Sequence, residues 1–404
     1  MHQSKPVRKV APRRKLSSVG LFAGIGGIEL GLQTANIETQ MLCELDPLAQ
    51  SVLRRRFPDA SIQADIKHLK QLPDVDLLAA GFPCQDLSQA GLTRGISGSQ
   101  SGLIDEVFRL LRKSKSRPEW VVLENVPFML RLEQGKAMLH VVESLEALGY
   151  RWAYRVIDTQ AFGLPQRRRR VIVLASRKHD PREVLLAEDA GERLLHRTSS
   201  TFCGFYWTEG RSGLGWAVNA VPPLKGGSRV GIPSPPAIWI PEERRIVTPD
   251  VRDTERMQGF PADWTAVAAE EGFGRARWKM VGNAVSVPVM EWLGGNIHSP
   301  KPFKADLNRK IERDGNWPDS AWGESGRTFS CDVSAHPIRA PYTGLGRFVR
   351  FPLEDLTLRA TNGFYSRAIN SGLRIDPQFL KDVKHHLNRM ERRANRWKEV
   401  AKSA

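Results

Sequence analysis

Apolar and polar positions change period repeatedly along the first half of the chain. From Ser18 to about Ala175, short apolar runs (SVGLF, MLCEL, VDLLAAG, WVVLENV, VIVLAS) alternate with longer stretches whose apolar residues share one helical face. Among the latter are IELGLQTA, PLAQSVLRRRF, GLIDEVFRLLRK and MLHVVESLEALG. Runs of the first kind read as strands buried on both faces, and those of the second as amphipathic helices covering them. The alternation predicts an α/β domain of Rossmann-like architecture over residues 18–175, with a parallel-type central sheet. Over residues 176–246 the period disappears into Gly, Pro, Ser and aromatic residues (TFCGFYW, GLGW, LKGGSRVGIPSPPAIW), which predicts a smaller, irregular domain. Helical signals return over 247–295. Residues 1–17 form a basic arm, and residues 296–404 a basic C-terminal extension that closes on FLKDVKHHLNRMERRANRWKEVAK.

Composition narrows the class. With 404 residues, 41% of them hydrophobic, the chain is long enough to bury two or three structural units. Sixty Lys plus Arg against 44 Asp plus Glu leave a formal charge of +16, which suits a polyanion such as nucleic acid and equally keeps a surface solvated. The four cysteines, Cys43, Cys84, Cys203 and Cys331, are too scattered for a zinc cluster and too few for a disulfide framework, so no metal is expected and the thiols read as reduced, cytoplasmic ones. No apolar stretch long enough for a signal peptide or membrane span follows the basic arm, so no membrane association is expected.

Several motifs sit at strand ends, where α/β folds hold ligands. LFAGIGGIELGL puts Gly24, Gly26 and Gly27 between a strand and a helix, where bare backbone lets a ligand approach. A tight turn without a ligand has the same pattern. Glu44 and Asp65 end the next two runs, either as ribose-binding carboxylates or as helix caps. GFPCQDLS follows VDLLAA, so Cys84 emerges at a strand end behind Pro83, beside the polar Gln85, Asp86 and Ser88. A lone Cys there is otherwise a small buried apolar group. WVVLENVP delivers Glu124 and Asn125 to the same edge, where a carboxyl suits proton handling or a cap. QRRRR precedes VIVLA, and in an extended segment Gln166, Arg168 and Arg170 share one face.

The ordered set FAGIGG, GFPCQ, ENVP, QRRRR, RMQGFP and GNAVSVPV resembles the cytosine-5 DNA methyltransferase family over residues 18 to about 295, in unpermuted order. The resemblance implies an S-adenosylmethionine pocket lined by Phe22, Gly24, Ile25, Gly26, Gly27, Glu44, Asp65, Ile66, Pro83 and Leu103, closed by Asn283 and Val285. It implies that Cys84 attacks cytosine C6, that Glu124 holds N3 and the exocyclic amine, and that Gln166, Arg168 and Arg170 support the charge. Pro83, Gln85, Ser88 and Asn125 become substrate contacts. Residues 18–175 and 247–295 then form the catalytic domain and 176–246 the target recognition domain. The partner implied is double-stranded DNA, bound by a monomer with or without a cognate restriction or other phage-defence system. A transfer-RNA methyltransferase and a catalytically inactive DNA-binding regulator are the rivals. For the extension, phosphate contact is set against packing through Phe379, Leu387 and Trp397.

Overall fold

A computed structural model describes residues 15–83, 102–227, 235–304, 308–313, 315 and 317–403, with the side chains of 397–403 left out. The first half follows the predicted alternation: β1 (Leu16–Leu21), α1 (Gly27–Thr34), β2 (Ile37–Cys43), α2 (Pro47–Arg56), β3 (Ser61–Gln63), β4 (Leu77–Gly81), α3 (Gly102–Lys113), β5 (Trp120–Asn125), α4 (Lys136–Ala147), β6 (Arg151–Asp158) and β7 (Arg169–Ser176). Local chemistry sets the ends. Asp46 caps α2 by accepting from the Leu48 amide at 3.0 Å, with Pro47 in the first turn. α3 buries Ile104, Val107, Phe108, Leu110 and Leu111 along one face.

The next elements are α5 (Pro181–Leu185), β8 (Cys203–Phe205), β9 (Ala217–Val218), β10 (Ala237–Ile240), β11 (Arg245–Thr248), α6 (Val251–Met257), α7 (Ala266–Glu270), α8 (Ala276–Asn283) and α9 (Val287–His298). The tail adds β12 (Arg309–Lys310), β13 (Ser320–Glu324), β14 (Arg327–Ser330), α10 (Leu345–Phe348), β15 (Glu354–Asp355), α11 (Leu358–Ile369) and α12 (Pro377–Ser403).

Ten strands form one sheet in the order β12-β14-β13-β6-β7-β5-β4-β1-β2-β3. The pairs from β3 through β5 are parallel, as expected, but β5–β7, β7–β6 and every pair beyond them are antiparallel. The sheet is therefore mixed. β6 and β7 are consecutive strands joined by a short connection, which closes an antiparallel pair without a crossover helix. Five further strands, β15-β11-β10-β8-β9, make a separate antiparallel sheet.

Unlike a loose appendage, the extension enters both sheets. β13 pairs with β6, and β15 with β11. Phe364 and Phe379 of α11 and α12 pack on Phe205 of β8, at 4.9 Å between ring centroids in each case. Of the three residues in the packing alternative, Phe379 and Leu387 are buried, and the side chain of Trp397 lies outside the described ones. The other face of the small sheet, with Ile238, Ile240 and Val247, shares a core with Met257, Phe260, Trp264 and Val281. Both faces are thus covered. Among the described residues no helix is long and apolar enough to cross a membrane.

Candidate active site

Close backbone contacts assemble the site at the carboxyl edge of the parallel strands. Gly24 and Gly26 adopt φ of 57° and 82°, and Phe22 is also left-handed at 56°. α1 and α9 pack closely because Gly31 and Gly294 carry no side chain: a Cβ on Gly31 would collide with the Val287 carbonyl, and one on Gly294 with Ala35. That contact brings the late motif back to the first turn, so that a Cβ on Gly27 would strike the Val285 carbonyl. Trp264 fixes the turn from the same side, its Nε1 donating to the carbonyl of buried Ile25 at 2.8 Å.

Glu44 follows β2 and turns its carboxylate to the glycine turn. The Gly24 amide donates to Oε2 and the Asp46 amide to Oε1, both at 2.8 Å. Among the described residues the space beside Gly24 is open, with no atom within 4 Å of where a Cβ would lie. Leu45, overlooked in the sequence, is 69% exposed next to this carboxylate; the apolar run MLCEL that ends on it was the available signal. Phe22 and Leu103 are half-buried against the main core. Asp65 caps the short turn Ile66–His68 through the Lys67 amide at 2.9 Å, while Ile66 is buried and its carbonyl accepts from Arg109 at 3.0 Å. Asn283 is exposed at the end of α8, and Gly226 lies so close that a Cβ there would meet its carboxamide.

Glu124 pairs with Gly81 in the β4–β5 register, three residues before Cys84. Its Oε1 lies 3.0 Å from Arg170 Nε. Burial pushes the carboxyl above its usual range, and the opposing pull of Arg170 and Arg168 does not cancel that. Asn125 spans the turn, accepting from the Val126 amide at 2.8 Å and donating to the Phe82 carbonyl at 3.4 Å. Pro83 is half-buried. Cys84, Gln85 and Ser88 lie outside the described residues.

The QRRRR run alternates in burial. Gln166 and Arg168 are buried, Arg167 and Arg169 exposed. Arg168 donates to the carbonyls of Leu224, Gly282 and Ala284 at 3.0, 3.2 and 2.7 Å. Gln166 accepts from the Leu224 amide at 3.0 Å and donates to the Met257 carbonyl at 2.9 Å. These two side chains therefore lock three segments together, and Arg170 alone of the three reaches Glu124. Cys43 and Cys203 are buried, which pushes their thiols up to about 12 and about 11; burial raises that of Cys331 as well. Among the described residues no group of His, Cys, Asp and Glu is placed to hold a metal ion.

Comparison with known proteins bears on this geometry. The chain is 48% identical to the Type II methyltransferase M2.BsuMI of Bacillus subtilis (strain 168), over 87% of this chain and 92% of that protein, so the likeness runs into the tail. It is 29% identical to the Type II methyltransferase M.Bsp6I of Bacillus sp. (strain RFL6), over 70% and 98% respectively. The fold is similar to that of the S. pombe Dnmt2 methyltransferase, with a TM-score of 0.52 at 18% identity over 69% of this chain and 97% of that one. Residues 16–201 and 225–299 match the family described as C-5 cytosine-specific DNA methylase. With two thirds of its length matched and every described motif gathered at one sheet edge, this chain belongs to that family and is a DNA cytosine-5 methyltransferase.

Proposed function

We propose that the protein methylates a cytosine flipped out of a specific duplex sequence, with S-adenosylmethionine as donor and Cys84 as a transient covalent nucleophile. It acts as a monomer in the cytoplasm, in a restriction–modification setting, a reading supported by its likeness to proteins named as Type II methyltransferases. The observation that carries this reading is the Glu124–Arg170 pair beside Gly81, at the strand end that leads into Cys84. The other three thiols support it by exclusion, since buried thiols with raised pKa values are poor nucleophiles.

The residues at the glycine turn fit the cofactor. The open space at Gly24, the ordered Glu44 carboxylate and exposed Leu45 suit a ligand with a ribose and a flat base, with Phe22, Ile66, Pro83, Leu103, Asn283 and Val285 as further walls. When bound, S-adenosylmethionine supplies an electrophilic methyl group. Cytosine C5 is too weak a nucleophile to take it unaided. The Cys84 thiolate bonds to C6, the ring electrons shift toward C5, and Glu124, whose carboxyl burial pushes above its usual range, acts in its protonated form and gives its proton to N3. Arg170 steadies the developing charge at O2. After C5 gains the methyl group, a base removes the C5 proton, the C5–C6 double bond returns, the thiolate leaves and N3 gives its proton back to the Glu124 carboxylate. The reacting carbons are stacked inside a duplex, so the base must leave the stack first.

Residues 176–246 serve as the target recognition domain. Both faces of its sheet are covered, so base edges are read from the loops between β8 and β10, which Gln166 and Arg168 tie to the catalytic edge through Leu224.

Bisulfite sequencing of DNA from cells expressing the protein tests the reading, with Cys84→Ala as the control. Wild type gives a fixed cytosine context and Cys84→Ala gives none. A duplex carrying 5-fluorocytosine in that context traps a denaturation-resistant complex with wild type, because fluorine cannot leave as a proton. Near wild-type turnover by Cys84→Ala overturns the mechanism. Methyl incorporation into transfer RNA but not duplex DNA overturns the substrate.

A further inference from the structure

Helix α12 is longer than the sheet it covers. Its contacts follow the strand order. Phe379 packs on Phe205 of β8, Asp382 accepts from Trp239 Nε1 of β10 at 3.1 Å, His386 Nδ1 faces the Ile246 amide of β11 at 3.4 Å, and Arg389 pairs with Asp355 of β15. Ten residues of helix rise about 15 Å, and the three strand spacings from β8 to β15 cover roughly 14 Å. α12 therefore crosses the sheet transversely and reaches its edge strand at Arg389.

The helix does not stop there. It continues to Ser403, about 21 Å past the edge at 1.5 Å per residue. Burial marks the same limit: Phe379, Asp382, Val383, His386 and Leu387 are buried, whereas residues 391–393, 395 and 396 are exposed. Across 391–396 the exposed side chains are Glu391, Arg392, Arg393, Asn395 and Arg396, so this stretch presents charged and amide groups rather than an apolar face with which to dock on its own protein. The overhang is basic as well. Arg392 and Arg396 are exposed, and at its root the single carboxylate of Asp355 is shared by Arg245, Arg389 and Arg393. Glu391 is the one acid among the described side chains of residues 391–396.

We propose that this overhang is a DNA-backbone arm that grips phosphates outside the recognition sequence. The proposal rests on the reading that the protein acts on duplex DNA. A rod of about 21 Å spans roughly six base pairs at 3.4 Å each, far enough to leave the bases under the recognition loops. Anchorage through Phe379, Asp382 and His386 holds the arm fixed relative to those loops, so its contacts add affinity without adding sequence information.

The test is equilibrium binding of the full-length protein to a 40-base-pair duplex of mixed sequence across a salt series, comparing wild type with the double variants Arg392→Gln/Arg396→Gln and Arg392→Lys/Arg396→Lys. Losing two phosphate contacts flattens the log–log salt slope by about 1.8, so a fourfold rise in salt weakens the Gln variant about 12-fold less than wild type. The Lys variant keeps the wild-type slope, and bisulfite maps of all three proteins show the same cytosines. An unchanged slope in the Gln variant overturns the proposal. So does a loss confined to single-stranded RNA of equal length or to vesicles of phosphatidylserine and phosphatidylcholine. If wild type transfers no methyl group to any duplex, the functional reading fails, while the salt slope still judges the arm.

Discussion

Glu29 and Glu124 lie near one glycine turn, and burial raises both carboxyls, yet only Glu124 has a basic partner. Glu29, in the first turn of α1, is 1% exposed, with neither oxygen hydrogen-bonded and Oε1 pressed on Gly20 of β1. Burial pushes it up to about 8; the nearby N–H of its own backbone opposes this and Glu44 adds to it. The unfolded chain ionises near 4.5. Between those values the folded state holds a proton that the unfolded state has lost, so stability falls as pH rises across that window, by up to about 1.4 kcal/mol per unit. Glu29→Gln mimics the neutral form and should flatten the dependence of melting temperature on pH between 5 and 8, with its largest gain at pH 8. Parallel wild-type and mutant curves would show that Glu29 is ionised in the folded state.

At the level of elements, the parallel half was legible because its strands are unbroken apolar runs flanked by amphipathic helices. β6 was not. Its sequence, RWAYRVID, carries Arg155 in the middle, and a charge inside a strand reads as a solvent-facing position. Here Arg155 is fully buried, donating to the carbonyls of Ser334, Leu185 and Glu188 and to Asp189. Partners that far along the chain cannot be seen in a local pattern. Removing one such partner leaves the rest of a buried polar network uncompensated. Arg155→Ala should therefore destabilise the protein by about 3–5 kcal/mol in urea unfolding. A loss below 1 kcal/mol would mean that water replaces the guanidinium. The site shows the same division. Glu44 and Glu124 announced themselves by ending apolar runs, whereas the structural duty of Gln166 and Arg168 depends on Leu224 and Met257, which lie far along the chain. Phe379→Ala should cost about 3–5 kcal/mol, because it empties the space between the small sheet and its helical cover. Guanidinium unfolding monitored by tryptophan fluorescence reads this directly, since Trp216 and Trp239 both contact that ring.

For the whole molecule, the tail is the only part that enters both sheets among the described residues: through β13 beside β6, β15 beside β11, and the loop after α10 whose Arg350 and Phe351 amides donate to buried Asp253 of α6. Truncation after residue 299 should yield aggregated protein rather than an active core with altered DNA affinity. Size-exclusion chromatography and circular dichroism decide this, and a monomeric, folded truncation would refute it. Exchange of residues 176–246 with a relative's should likewise fail unless residues 354–396 travel with them, since those supply the edge strand and cover of the small sheet.

The pairing of β13 with β6 also bears on synthesis. A ribosome releases β6 well over a hundred residues before β13. Throughout that interval β6, paired on one side with β7, offers an open row of amides and carbonyls to any extended chain nearby. The nascent enzyme must therefore be shielded from itself until about four fifths of it has emerged, and slow decoding between the two strands should lower the yield of native protein without changing a single residue of it.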